Sequence, residues 1–157
     1  MGGYSPDEPK PLAGYAVLAA AFNTAALGYA AAHRRSGRRL PGRVPAGDYA
    51  LLTLATQKLS RLIAKDRVTS FARAPFTRYK EEAGPAEVSE EPRGSGLRLA
   101  IGELLVCPYC VGLWVAGGFV ASYIARPDET RMVAATFAVL GGSDFLQQAW
   151  SAVDKRA

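Results

Sequence analysis

Two stretches of the chain carry no charged side chain for longer than a hydrocarbon core is thick. Residues 12–32 are uncharged over 21 positions and residues 104–125 over 22; as helices, both reach across about 30 Å. The first is not read as a cleaved leader. Its flank holds Asp7, Glu8 and Lys10 rather than a basic cluster, and its apolar run is too long. Arg34, Arg35, Arg38, Arg39 and Arg43 follow at once, which resists translocation of that end. Residues 12–32 are therefore expected to be a retained span, with residues 1–11 as an external tail.

Pro41, Gly42, Pro45 and Gly47 break the chain after this span. Asp48 then reads as the N-cap of a helix over 48–65. Its Lys58, Arg61 and Lys65 fall on one face and Leu52, Leu59, Leu62 and Ile63 on the other. A short helical turn is expected between Val68 and Ala72, ended by Pro75. Residues 80–96 hold five glutamates, two prolines and three glycines with almost no large apolar side chain, which predicts a solvated, mobile loop. Amphipathic helix returns over 97–106. Pro108 predicts a kink, an apolar helix follows to residue 125, and Asp128 is placed to cap a third span over roughly 130–152.

The predicted fold class is thus an all-α, small transmembrane helical bundle of three spans, or four if 48–65 also crosses. It carries a cytoplasmic amphipathic helix and a mobile acidic loop. Residues 33–98 form the cytoplasmic or interfacial region, and residues 97–157 the C-terminal hairpin of spans. Lysine and arginine counts favour the three-span arrangement. It sets 16 of them on the side holding residues 34–98 and the C-tail against 3 on the other, whereas four spans give 10 against 7. This predicts a bacterial inner-membrane protein with its N-terminus outside and its C-terminus in the cytoplasm. The basic face of 48–65 would meet anionic lipid.

Composition narrows the classes further. Apolar residues make up 49% and charged residues 21% of the 157, so disorder and a coiled coil are excluded. The net charge of +5 is assigned to topology rather than nucleic acid, because no groove-reading motif accompanies it. Two cysteines make no disulfide framework.

The chemistry that remains is sparse. Glu103 and Asp144 are ionisable residues near membrane depth, with Lys58 and Arg61 as prospective partners. Gly112/Ala116, Gly117/Ala121 and Gly118/Ser122 are small-x-x-x-small pairs suited to close helix packing within the chain or to self-association. Cys107-Pro108-Tyr109-Cys110 has three readings. As a redox pair, Cys107 attacks, Cys110 resolves and Glu103 assists proton transfer. As a metal site, Cys107 and Cys110 need Glu103, His33 or a second copy to complete four ligands. As structure, two small thiols flank a proline kink. No cofactor motif is present. The expected partners are the lipid bilayer and other membrane proteins or a second copy, and the favoured role is a non-enzymatic interaction or scaffold module.

The run Ile101-Gly102-Glu103-Leu104-Leu105-Val106-Cys107-Pro108-Tyr109-Cys110-Val111-Gly112-Leu113-Trp114-Val115 resembles a family of small bacterial membrane proteins of unknown function. That family includes a sporulation-associated member and shows an E-L-L-x-C-P-x-C-x-G-x-W signature. The runs Lys58–Asp66 and Arg73–Phe76 are similar to it as well, so the likeness covers roughly residues 48–150. It implies an integral membrane protein, and for some members sporulation, without an established reaction. It singles out Arg61, Asp66, Arg73, Pro75, Glu103, Cys107, Pro108, Cys110, Gly112 and Trp114.

Overall fold

The structure, a computed structural model, describes residues 4–5 and 10–155. Apolar periodicity and proline breaks define its six helices: α1 (Leu12–Arg35), α2 (Ala46–Lys65), α3 (Ser70–Arg73), α4 (Gly96–Val106), α5 (Pro108–Ala125) and α6 (Pro127–Asp154). Between α3 and α4 stands an antiparallel hairpin of β1 (Thr77–Gly84) and β2 (Glu87–Pro92). The all-α expectation and the mobile loop over 80–96 are both overturned by this hairpin. Its register runs from Thr77 opposite Pro92 to Gly84 opposite Glu87, with irregularities after Tyr79 and Glu82. The turn places Ala86 at φ 61°, a left-handed conformation that glycine usually supplies.

The span count is also corrected. Only α1 and α5, among the described residues, are long and apolar enough to cross a bilayer. The second half of α6 carries Ser143, Asp144, Gln147 and Gln148, which lowers its hydropathy, and α2 is interrupted by Gln57, Lys58 and Arg61.

The long helices lie side by side. Phe22 of α1 meets Trp114 of α5 edge-on at 5.3 Å, and Tyr29 donates to the Ala121 carbonyl at 2.7 Å, so α1 and α5 run parallel. Helix α2 runs antiparallel to α5, with Asp48 near Tyr123 and Ser60 near Gly112, and parallel to α6, with Lys58 near Asp144. The contact is built on small residues. Ala55 and Ala134 are fully buried with Phe119, and Leu51, Leu52, Leu59, Val115 and Phe137 pack around them.

This arrangement separates residues that the topology estimate grouped together. The arginine-rich segment after α1 stands at the Ala125 end of α5, beside the α5–α6 turn. The hairpin and the end of α6 stand at the opposite end. Helix α4 ties the hairpin to α1 through two close approaches. A Cβ on Gly102 would lie 2.6 Å from the Phe76 carbonyl oxygen, and one on Gly14 would lie 2.6 Å from the Ala100 Cβ.

Two helix starts differ from expectation. Pro45, not Asp48, occupies the N-cap of α2, and Arg126, not Asp128, that of α6. Asp48 lies in the first turn, where its carboxylate answers another helix instead of its own backbone.

Candidate functional site

Polar side chains gather in four places along the bundle. The most buried is at the base of the hairpin. Arg73 is 1% exposed and spends every guanidinium nitrogen. Its Nε and Nη2 donate to Glu90 at 2.9 and 3.0 Å, and Nη1 to the Ile63 carbonyl and Thr69 Oγ1 at 2.6 Å each. Nη2 also reaches the Asp66 carbonyl at 2.9 Å. Thr77 Oγ1 donates to Glu90 at 2.8 Å. One side chain thereby fastens the end of α2, the α3 turn and β2, and Thr77 of β1 joins through Glu90. Burial opposes ionisation of Glu90, but the hydrogen bonds from Arg73 and Thr77 outweigh it and hold the carboxyl below its usual range.

Around this base lie other residues that the sequence singled out. Arg61 donates to both Glu87 oxygens, at 2.7 and 2.6 Å from Nη2. Asp66 bridges to Glu87 through the backbone and caps Val68 with its carboxylate at 2.9 Å. The Pro75 carbonyl accepts from Arg98 at 2.6 Å. Arg61, Asp66, Arg73 and Pro75 are thus brought to one end of the molecule. Their partners Glu87 and Glu90 were not singled out, because a glutamate-rich segment reads as solvated when its strand pairing is unseen.

The second group surrounds the cysteines. Val106 ends α4, Cys107 is extended at φ −106°, and Pro108 opens α5 at its first position, as the proline predicts. Cys107 Sγ accepts from the Cys110 backbone N–H at 3.2 Å, so the sulfur serves as the N-cap of α5. Both thiols are free, Cys107 half-buried and Cys110 exposed. Glu103 accepts from the Tyr15 hydroxyl and lies 4.0 Å from Lys10. It is not joined to Lys58 or Arg61.

His33 stacks on Tyr29 at 6.2 Å, at the far end of α1 from the cysteines. The metal set that included His33 is therefore not assembled within one chain. Among the described residues no group of three or more His, Cys, Asp or Glu is placed to hold an ion. Trp114 packs on Phe22, and Gly112 admits Ser60 of α2.

The third group is Lys58–Asp144, made at 2.5 Å with the Lys58 stem against Gly141, one of the pairings left open among Glu103, Asp144, Lys58 and Arg61. The fourth was not foreseen. Asp48 accepts from Arg131 at 2.7 to 3.1 Å and from the Tyr123 hydroxyl, joining the starts of α2 and α6 to the end of α5. The hydrogen bond from Arg131 first, and that from Tyr123 second, hold the Asp48 carboxyl below its ordinary 3.8. Spacing of acidic and basic residues on separate helices gave no signal for this triad.

These clusters tie elements of the bundle together. The chain is 34% identical over 94 residues to Sporulation protein YjcA of Bacillus subtilis (strain 168), covering 58% of this chain and 80% of that protein. It is 27% identical over 104 residues to UPF0713 protein YngL of the same organism, covering 64% of this chain and 76% of that one. No solved structure matches significantly. A family model described as Protein of unknown function (DUF1360) matches residues 51–150, from α2 to late α6, in keeping with the stretch whose likeness was read from the sequence. The chain belongs to this family of unknown function; the matched stretch holds Arg61, Arg73, both cysteines and the Lys58–Asp144 pair and leaves out Asp48 and all of α1.

Proposed function

We propose that the chain is an integral protein of the bacterial inner membrane, acting as a non-enzymatic interaction or scaffold module. The carrying observation is an inverted distribution of apolar side chains. Among the described residues the buried hydrophobic core consists of eight, four of them alanine. Large apolar side chains stand exposed instead: Val17 and Leu27 on α1, Leu113 and Val120 on α5, Val139 and Leu146 on α6, each at least 51% open. A water-soluble chain of this size cannot leave so continuous an apolar exterior without association. Lipid removes the difficulty, with α1 and α5 as the apolar spans.

Small residues are what such a bundle requires, since lipid supplies no hydrophobic drive between helices. Gly112, Gly117 and Gly141 receive Ser60, Phe22 and Lys58 inside the chain, while Gly118 has nothing within 4 Å and is open to a neighbouring helix. In this reading the arginines after α1 hold that end at the cytoplasmic surface, with the N-terminus outside. The Cys-Pro-Tyr-Cys turn is structural: its sulfur caps α5. The name of the sporulation relative supports work in that process.

Fractionation tests the reading. The full chain is expected in the membrane pellet, resisting high salt and alkaline carbonate and released by detergent. Recovery in the soluble fraction, monodisperse without detergent, overturns it.

A further inference from the structure

One segment carries a charge that the bundle does not answer. Between Pro11 and Gly47 the chain has no aspartate or glutamate, while Arg34, Arg35, Arg38, Arg39 and Arg43 fall within ten positions. All five are exposed. Among the described residues none of them pairs with a carboxylate, whereas Arg61, Arg67 and Arg73 each hold a glutamate of the hairpin. At the arginine-rich end Asp48 and Asp128 are already held by Arg131. Unpaired like charges this close repel one another, and such blocks commonly serve to meet a polyanion.

The backbone spreads these charges instead of gathering them. Ser36 and Gly37 close α1 on the carbonyls of Ala32 and Arg34, at 3.0 and 3.3 Å, and Gly37 turns the chain at φ 67°. Arg34 and Arg35 stay on the last turn of the helix, and Arg38, Arg39 and Arg43 follow in the connection to α2. From Arg38 to Arg43 that connection reaches up to about 17 Å. A single small anion can meet one or two of the guanidiniums; an array of phosphates can meet all five.

Two observations select a lipid surface among such arrays. The apolar exterior of α1 continues into the basic segment: Leu27 is 70% exposed, and Leu40, between Arg39 and Arg43, is 64% exposed. An apolar side chain among arginines suits the boundary between hydrocarbon and headgroups. Residues 34–47 also hold no aromatic side chain on which bases could stack, so a nucleic acid strand gains only charge there.

We propose that residues 34–43 bind the headgroups of anionic phospholipids, with the arginines against the phosphates and Leu40 at the edge of the hydrocarbon. The assignment rests on the membrane reading and names the lipid class that this surface selects.

Native mass spectrometry of the detergent-purified full chain tests it, with an equimolar mixture of phosphatidylglycerol and phosphatidylcholine of the same acyl chains as the probe. Wild type is expected to retain phosphatidylglycerol in preference. Arg38→Gln with Arg39→Gln removes two exposed, unpaired charges and is expected to lower the ratio of the two adducts by about five-fold or more, the contribution of a single arginine near a headgroup surface. Arg78→Gln with Lys80→Gln removes the same net charge from the exposed hairpin and is expected to leave the ratio within about two-fold of wild type.

Equal ratios for wild type and the Arg38/Arg39 variant overturn the proposal. So does an equal fall in the hairpin variant, which would make net charge the cause. Capture of a single-stranded oligonucleotide that depends on Arg38 and Arg39, without a lipid preference, overturns it in favour of nucleic acid. A chain found in membranes with no preference between the two lipids refutes this inference alone; a chain absent from membranes refutes the proposed function with it.

Discussion

Replacing Arg73 by methionine should release the hairpin from the bundle. Methionine fills much of the arginine stem's volume but makes none of the six hydrogen bonds that the guanidinium makes to Ile63, Asp66, Thr69, Ser70 and Glu90. The larger loss is electrostatic. Glu90 is 5% exposed and would keep its charge with only the Thr77 and Ser70 hydroxyls to answer it. Breaking a buried pair by removing one partner costs about 3–5 kcal/mol. At about 1.4 kcal/mol per tenfold, this is roughly two to three and a half decades in the opening equilibrium of the hairpin.

Hydrogen exchange of the β1 and β2 amides reads that equilibrium directly, because strands open as a local unit. In detergent-solubilised Arg73→Met, exchange of these amides should accelerate by at least a hundred-fold, with α5 protection unchanged. Adding Glu90→Leu should restore part of the loss, since it removes the stranded charge. Protection within three-fold of wild type would refute the reasoning, and so would a double variant that is no better than Arg73→Met.

Gly102→Ala should cost about 1–3 kcal/mol, seen as a lower melting temperature, because its Cβ would meet the Phe76 carbonyl at 2.6 Å where neither backbone can yield. Asp48 and Glu90 have carboxyls lowered from 3.8 and 4.5, so their stabilisation is complete above those values and is lost as pH falls through the folded-state values. Melting temperatures should therefore be flat in these two groups near neutrality and fall in acid, and Asp48→Asn should lose its share of that acid dependence while melting lower at pH 7. Cys107→Ser should keep the α5 cap and the wild-type melting temperature, whereas Cys107→Ala should cost about 0.5–2 kcal/mol. Alkylation without reductant should modify two thiols per chain.

Apolar runs and prolines made most of the helices legible. Residues 12–32, 48–65 and 97–106 fall within a few positions of α1, α2 and α4. The break at Pro108 follows from its missing donor. What the sequence concealed was pairing between distant polar residues. Residues 77–92 show no alternation of apolar and polar positions, since the side chains turned inward are Thr77, Val88 and Glu90, two of them polar. The strands are held by backbone pairing, by Arg73 from outside the sheet, and by a turn whose left-handed residue is alanine. Such a segment is compositionally indistinguishable from a solvated loop. Asp48 misled for a related reason: an acid before a helix reads as a cap, and nothing local announces that Arg131 and Tyr123 will claim it. The Lys58–Asp144 pair was within reach because charges on apolar helices must be neutralised somewhere.

The account rests on the exposed apolar side chains facing lipid. Photolabelling from within the bilayer, with a carbene-generating acyl chain in reconstituted vesicles and peptide mapping of the adducts, examines those side chains themselves. Adducts are predicted on Val17 and Leu27 of α1 and on Leu113 and Val120 of α5, with Arg34–Arg43 and the hairpin over 77–92 unmodified. Adducts absent from α1 and α5, or concentrated on the hairpin, would contradict it.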